Sequence, residues 1–418
     1  MDIDQSTTGD LRAIDSYPVQ SYREPMTSSH TAKPTQPRLT AIRREASLIS
    51  AVGIVALLGL ASLLGPVWGW QAAIQLLVQS SLLWLFVAFQ TFRRLHLNKK
   101  DMGSALYASL GWGNRLTLLR SWLIAATGGF LFQPWPDGLW LSWLPGMIYF
   151  AAAMLDRVDG FVARRSGQMS LLGNELDTVS DALGLAVAAL LAYGYGQTHW
   201  TYLAMGAAYY VFHLALWLRR ARGFPVHPLP PAMHRRAWAG FQMGYLVVAL
   251  WPLFTPPITV VAGFAFMLPA LTGFLIDWLF VSGRIQSEVE STNTFFLRLT
   301  VISQHFLQPA LRPAIALLLA ISLISVGYPP IVIAGETWPS ILALGGFGLA
   351  ATMVLIGVAS RYFCLLLVGL LGWFYISNPM QPVDYVLFCC VVWSMLLGSG
   401  RFSLWQEDDH WLNRYDGA

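Results

Sequence analysis

The chain has 418 residues, of which 56% are hydrophobic and 11% are charged, and its mean hydropathy is +0.53. A soluble globular protein needs far more polar side chains for its exterior, so this composition excludes that class. The net charge of +4 fits the basic residues that membrane proteins collect on their cytoplasmic side, and nucleic acid is therefore not an expected partner. The composition predicts an integral membrane protein.

Residues 1–45 are polar and contain no apolar run, so we interpret them as a disordered cytoplasmic tail. Twelve apolar segments follow, and most approach the ~20 residues that cross a hydrocarbon core. They lie at about 47–66, 73–92, 114–133, 140–163, 171–193, 199–218, 237–254, 258–282, 309–328, 338–358, 362–377 and 385–400. The predicted fold class is an all-α integral membrane protein with about twelve spans.

The basic residues give an independent indication of topology. If the N-terminus is inside, the outer loops are 67–72, 134–139, 194–198, 255–257, 329–337 and 378–384, and they contain no Lys or Arg. By the positive-inside rule, both termini are expected to be cytoplasmic, in what we take to be a bacterial plasma membrane.

The polarity of the segments divides the chain into parts. A six-helix domain is predicted at 102–283, because this block holds most of the polar residues within apolar segments. The other predicted parts are the tail at 1–45, two lead-in spans with a basic linker at 46–101, and a four-span C-terminal membrane domain at 284–418.

Aspartates in two consecutive apolar segments are the most informative feature. Asp156 and Asp159 are three residues apart near the end of one segment, and Asp177 and Asp181 are four apart in the next. Both spacings place a pair on one helical face. Because a short turn joins the two helices, they are expected to be antiparallel neighbours with converging carboxylates. A single Asp at the centre of a membrane helix costs about 2.5–3.5 kcal/mol, which favours a functional reason for the set.

Converging carboxylates repel one another unless a cation neutralises them, and hard divalent cations prefer oxygen ligands. Two such ions also suit phosphoryl transfer, since they stabilise the attacking and the leaving oxygens. Gly160 and Gly173 leave room for a ligand beside the helices, and the planar guanidinium of Arg164 can pair with a phosphate. Salt bridges to Arg157, Arg164 and Arg165 at the membrane surface are an alternative, but they account for neither the glycines nor the inward Asp177 and Asp181.

The aspartates belong to a longer pattern, Asp156-x-x-Asp159-Gly160-x-x-Ala163-Arg164, then eight residues, then Gly173-x-x-x-Asp177-x-x-x-Asp181. This pattern resembles the full signature of the CDP-alcohol phosphotransferase family. The resemblance implies a six-helix catalytic fold over about 110–283, usually in a homodimer, with its active site at the cytoplasmic face.

The resemblance also implies roles for the residues of the signature. Asp156, Asp159 and Asp177 would bind Mg²⁺ or Mn²⁺, with two ions expected. Asp181 completes the metal-site group and would act as the general base for the acceptor hydroxyl. The deprotonated acceptor would attack the phosphorus nearest the lipid alcohol of a CDP-alcohol, and CMP would leave. The signature residues expected to bind the nucleotide or its phosphates are Gly160, Ala163, Arg164 and Gly173.

A second match lies one helix earlier, where Asn114-x-x-Thr117-x-x-Arg120 resembles the opening motif of the family, with Gly113 in place of the usual Pro. We expect these three side chains to share one helical face and to contribute to nucleotide or phosphate binding. Arg120 inside an apolar segment is costly unless it is paired, which favours an active-site role over a side chain that snorkels to the interface.

A basic loop between the fourth and fifth helices of the predicted domain is the candidate acceptor site. It contains Arg219, Arg220, Arg222, Arg235 and Arg236. This cluster can hold an acceptor phosphate, but topological charge or contact with anionic lipid explains it equally well. Family members that make phosphatidylglycerol phosphate tend to carry a Lys/Thr/Gln stretch here; this chain keeps Gln242 without the Lys and Thr.

These observations predict a metal-dependent phosphatidyltransferase of phospholipid synthesis, with CDP-diacylglycerol as the donor, an alcohol as the acceptor and membrane lipids around it. Two alternatives stay open: transfer from a soluble CDP-alcohol of the choline or ethanolamine type to a lipid alcohol, and a transporter or scaffold that binds ions without chemistry. The C-terminal motif Gly398-x-Gly400-x-x-Ser403-Leu404 weakly resembles the close of four-helix DoxX-like membrane proteins.

Overall fold

The computed structural model describes residues 36–227, 233–285, 302–326, 331–333, 336–338 and 340–405. Within these residues the chain is almost entirely helical, which confirms the predicted all-α membrane fold. The helices are α1 (Gln36–Trp68), α2 (Trp70–Arg94), α3 (Trp112–Gly128), α4 (Leu144–Arg165), α5 (Leu171–Gly194), α6 (Leu203–Ala221), α7 (Met233–Ala249), α8 (Ile258–Val281), α9 (Gln308–Val326), α10 (Ser340–Ile356), α11 (Ser360–Ser377) and α12 (Pro382–Leu397). Two three-residue strands, β1 (Ile331–Ile333) and β2 (Glu336–Trp338), pair in an antiparallel ribbon between α9 and α10.

Seven of the described helices are long and apolar enough to cross a membrane, namely α1, α2, α5, α6, α8, α9 and α11. The helices α10 and α12 are apolar but shorter. The helices α3 and α7 have 17 residues each, and α4 carries the charged signature residues. Each of the twelve predicted segments coincides with one helix, while the count of twelve spans stays a prediction.

The first helix begins at Gln36, about ten residues before the end of the predicted polar tail; residues 1–35 of that tail lie outside the described part of the chain. The polar start of α1 is fixed by contacts to the segment that leads into α3. Arg38 donates to the Leu106 carbonyl at 2.9 Å, and Glu45 accepts from the Leu110 amide at 2.9 Å and pairs with Arg115 at 2.7 Å. These contacts extend the helix beyond its apolar part.

The helices α3 to α8 pack closely because small residues lie where their backbones approach. A side chain at Gly113 of α3 would place its Cβ 2.7 Å from the Ala163 Cβ of α4. One at Gly146 of α4 would come within 2.5 Å of the Leu250 carbonyl oxygen, which follows α7. In a membrane, where lipid replaces water, such close contacts are a main source of helix association.

The C-terminal helices α11 and α12 pack directly onto this bundle. The Trp393 indole of α12 donates to the Ala265 carbonyl of α8 at 2.9 Å. At Gly372 of α11 a Cβ would lie 2.5 Å from the ring of Phe254, so the glycine admits that ring. The α11–α12 pair therefore forms one wall of the boundary between the two parts.

The C-terminal Gly/Ser motif has a structural role at the end of α10. Gly398 and Gly400 have φ of 94° and 67°, which glycine adopts without strain. The following backbone returns along α10, where the Leu404 and Trp405 amides donate to the Ile356 and Gly357 carbonyls at 3.2 and 3.1 Å. The resemblance to DoxX-like proteins stays a prediction.

Candidate active site

The four aspartates of the signature lie on two antiparallel helices, α4 and α5, joined by a short turn. Gly167 in this turn has a φ of 65°, which reverses the chain at little cost. Ser170 then caps α5, and its hydroxyl accepts from the Gly173 amide at 3.0 Å. The cap fixes where α5 begins and hence the height of Asp177 and Asp181 beside α4.

Three of the carboxylates form a group suited to a metal ion. Asp156, Asp159 and Asp177 each offer one oxygen, and these oxygens all lie within 4.8 Å of one another. Their side chains differ in exposure: Asp159 is 6% exposed, while Asp156 and Asp177 are 30% and 47% exposed. The group is therefore anchored at Asp159 and open to ligands on the Asp177 side.

Arg120 of α3 places its guanidinium among all four aspartates. Its Nη1 lies 2.7 Å from Asp156 Oδ1, 2.7 Å from Asp177 Oδ1 and 3.8 Å from Asp159 Oδ2, and its Nη2 contacts Asp181. The arginine side chain is only 1% exposed, so it does not snorkel to the interface. One buried cation thus offsets part of the repulsion among four acids.

Thr117 and Asn114, the other two residues of the second motif, have different contacts. The Thr117 hydroxyl donates to Asp159 Oδ2 at 3.0 Å, which orients the most buried aspartate. The Asn114 amide nitrogen donates to Ser170 Oγ at 3.1 Å and to Asn98 Oδ1 at 3.0 Å. Asn114 is buried, and these contacts tie α3 to the cap of α5, so its place in the structure is one of positioning.

The remaining signature residues fall into two groups. Gly173 and Ala163 lie where helices meet, because a Cβ at Gly173 would be 2.6 Å from Asn114 Oδ1 and Ala163 faces Gly113. Gly160 instead borders Arg164, whose Nη1 would be 3.3 Å from a Cβ there. Arg164 is exposed in the last turn of α4, and its role in phosphate binding stays a prediction.

Three of the five loop arginines have described side chains. Arg219 donates to the Pro225 carbonyl at 2.7 Å and to the Ser282 carbonyl at 2.8 Å, so it secures the end of α6 to the end of α8. Arg220 and Arg222 are exposed. The side chains of Arg235 and Arg236 lie outside the described part, and acceptor binding by this loop stays a prediction.

Several contacts at the site were not predicted from the sequence. Asn98 and Ser170 complete the buried hydrogen-bond network of Asn114, and a serine directly before a helix is a recognisable capping signal. Glu175 pairs with Arg94 of α2 at 3.3 Å, which links α5 to the lead-in helices. The Ser121 and Ser180 hydroxyls lie 2.6 Å apart between α3 and α5. The last two contacts join residues distant in sequence and leave no local pattern.

Comparison with known proteins agrees with this geometry. Residues 112–278 match the model of the CDP-alcohol phosphatidyltransferase family. Over 84 residues the chain is 34% identical to a CDP-diacylglycerol–glycerol-3-phosphate 3-phosphatidyltransferase of Pectobacterium atrosepticum, which covers 20% of this chain and 46% of that relative. The chain thus spans about half the length of this curated relative. No solved structure matches. The resemblance predicted from the signature is confirmed, and residues 112–278 form a CDP-alcohol phosphatidyltransferase domain.

Proposed function

We propose that this protein transfers a phosphatidyl group from CDP-diacylglycerol to the hydroxyl of a small acceptor, with release of CMP. The observation that carries the proposal is the convergence of Asp156, Asp159, Asp177 and Asp181 on one buried guanidinium, inside a domain of the matching family. A purely structural ion pair needs one carboxylate for one arginine. Four around one leave a surplus of negative charge that calls for further cations.

The donor set fits divalent metal ions. Three carboxylate oxygens within 4.8 Å of one another are the hard ligands that Mg²⁺ and Mn²⁺ prefer. Asp156, Asp159 and Asp177 would hold the metal, with Asp181 at the edge of the group, and two ions are proposed. When bound, the metal would neutralise charge on the phosphates of the donor.

Asp181 is the proposed base. Its side chain is 41% exposed, so a soluble acceptor can reach it, whereas Asp159 is only 6% exposed and engaged by Thr117. Asp181 takes the proton of the acceptor hydroxyl as that oxygen bonds to the phosphorus nearest the diacylglycerol. The bond from this phosphorus to the oxygen of the CMP phosphate breaks, and CMP leaves with the electron pair.

The acceptor proposed for the first test is glycerol 3-phosphate, which the name of the similar Pectobacterium atrosepticum protein specifies. A phosphorylated acceptor also suits the basic side chains near the ends of α4 and α6. Arg164, Arg220 and Arg222 are exposed in those turns and present positive charge to solvent. A homodimer and a cytoplasmic active site belong to the same proposal, supported by the family resemblance and by the distribution of basic residues.

The proposal is tested with the purified full chain, labelled CDP-diacylglycerol, Mg²⁺ or Mn²⁺, and a panel of acceptors that includes glycerol 3-phosphate. We expect metal-dependent CMP release and a labelled lipid product, and Asp181→Asn should reduce turnover by about 10²–10⁴-fold while the protein stays folded. Asp101→Asn, in the loop after α2, is the matched control and should leave turnover unchanged. The proposal fails if no acceptor gives metal-dependent CMP release. Product formation only from a CDP-choline-type donor and diacylglycerol would favour the reversed roles.

A further inference from the structure

A groove of about 540 Å³ lies between the catalytic domain and the C-terminal helices. Its walls come from α4, α7 and α8 on one side and from α11 and α12 on the other. The volume falls within the range of roughly 300–1,000 Å³ typical of ligand sites. Tyr362 and Leu365 on its wall are 54% and 59% exposed, so the groove opens toward the surrounding lipid.

The groove runs along α11 for about half the thickness of a bilayer. Along α11 the lining runs from Arg361 to Gly372, which is about 16 Å at the rise of an α-helix. The hydrocarbon core of a bilayer is about 30 Å thick, so the groove crosses about half of it. Its charged end lies beside the aspartate-bearing end of α4, and Phe254 marks its opposite end.

The charge of the groove indicates which class of lipid it can bind. Among the described residues that line it, two are arginines, Arg157 and Arg361, and none is acidic. Both arginines lie at the end beside the aspartates, and the rest of the lining is largely apolar. Arg361 also donates to the Met395 and Leu396 carbonyls at 3.2 Å, which holds its guanidinium at the end of α12 beside the groove. Apolar walls capped by positive charge suit acyl chains below an anionic headgroup.

Arg157 points to another face of α4 than the metal group. At about 100° per residue, Arg157 points about 100° away from Asp156 and about 160° away from Asp159 around α4. A lipid whose phosphate lies at Arg157 is therefore on another face of the helix than the metal group. The bilayer around the protein supplies such a lipid without any reaction.

We propose that the groove holds an anionic glycerophospholipid of the bilayer, with its phosphate beside Arg157 and Arg361. The bound lipid joins the C-terminal helices to the catalytic domain. This lipid is a bound partner and not the donor that reacts at the aspartates. Binding of this lipid does not depend on the transferase activity, so the two can be tested independently.

The direct test fills the groove. A Cβ at Gly244 of α7 meets nothing within 4 Å, so Gly244→Leu extends into the groove without a backbone clash. Gly348→Leu on α10 is the matched control, because Gly348 also meets nothing within 4 Å and does not line the groove. Dioleoyl phosphatidylglycerol and dioleoyl phosphatidylcholine are the two probes, and native mass spectrometry of the full chain counts the lipids retained.

We expect wild type and Gly348→Leu to retain one phosphatidylglycerol in preference to phosphatidylcholine, and Gly244→Leu to lose it. Arg157→Gln should weaken retention about fivefold, the effect of one arginine on an anionic lipid, while Arg165→Gln at the end of the same helix should not. Equal retention by Gly244→Leu and wild type, or no preference between the probes, would overturn the proposal. So would a raised KM for CDP-diacylglycerol in Gly244→Leu with unchanged phosphatidylglycerol retention, because the donor would then be the occupant.

A second measurement needs no variant. Phosphatidylglycerol with a photoreactive acyl chain is bound to the wild-type chain and irradiated, and the labelled peptides are sequenced. Labelling of α7 and α11 near Phe241 and Leu365 is the expected result. Labelling confined to the exposed faces of α1 and α2 would contradict a specific site in the groove.

Discussion

Arg120 carries one positive charge among four carboxylates. Its contribution to the stability of the fold depends on which other cations neutralise those carboxylates. Removing one partner of a buried ion pair costs about 3–5 kcal/mol. Asp177 and Asp181 are 47% and 41% exposed, so water screens part of this loss, and we expect Arg120→Met to cost less than that range. Thermal unfolding in detergent with EDTA measures the effect, and added Mg²⁺ should restore part of the midpoint because it supplies positive charge.

Arg115→Met is the control for this experiment. Arg115 lies on the same helix, is 37% exposed and pairs with Glu45 at 2.7 Å, so its loss should cost at most about 1 kcal/mol. If Arg120→Met lowers the thermal midpoint by the same amount in EDTA and in Mg²⁺, then the arginine and the metal do not share the carboxylates. That result would also weaken the metal group proposed for Asp156, Asp159 and Asp177.

Thr117 supports the metal group through one hydroxyl. Its Oγ1 donates to Asp159 Oδ2 at 3.0 Å, and outer partners of this kind typically change metal affinity or activity by about 10–100-fold when they are removed. Thr117→Val keeps the shape of the side chain, so we expect the Mg²⁺ concentration at half-maximal CMP release to rise by about tenfold or more. Thr127→Val, in a buried position of the same helix whose hydroxyl donates only to the Leu123 carbonyl among the described contacts, should leave that concentration unchanged.

At the scale of elements, the sequence predicted those features of the site that depend on helical periodicity. The spacing of three or four residues placed Asp156 with Asp159 and Asp177 with Asp181, and the same periodicity placed Arg120 on the face of Thr117. It did not predict that Asn114 would bind the cap of α5, because that contact depends on how α3 and α5 pack. The polar start of α1 was also missed, since its partners lie about 65 residues further along the chain.

Gly173 shows how tightly two elements meet at the site. A Cβ there would lie 2.6 Å from Asn114 Oδ1, and Asn114 is held by further hydrogen bonds, so it has little freedom to move. We expect Gly173→Ala to destabilise the protein by about 1–3 kcal/mol through overpacking and to lower turnover as α5 shifts. Gly194→Ala at the end of the same helix meets nothing within 4 Å and should be neutral or slightly stabilising. Thermal unfolding of the two variants measures this difference in stability. Equal midpoints would show that the α3–α5 contact is loose.

At the scale of the whole molecule, the charge pattern and the helix lengths indicate different numbers of membrane spans. The outer loops free of Lys and Arg favour twelve spans. By length and composition, seven of the described helices qualify, and α3 and α4 are not among them. These two helices carry Arg120, Asp156 and Asp159, which weaken their apolar signal, and α3 is also short at 17 residues. Polar and charged residues lower the mean hydropathy of α3 and α4, although both helices pack within the bundle.

The location of the α3–α4 loop shows whether α3 and α4 cross the membrane. Asp137 is exposed in this loop, and Arg222 is exposed after α6. If α3 and α4 both cross, Asp137→Cys should react with a membrane-impermeant maleimide from outside intact cells, and Arg222→Cys should react only after permeabilisation. His199→Cys, exposed after the candidate span α5, is the control for the outer side. Protection of Asp137→Cys together with labelling of His199→Cys would make α3 and α4 a re-entrant pair. The aspartates would then remain on the side of Arg222, but the count of twelve spans would be wrong.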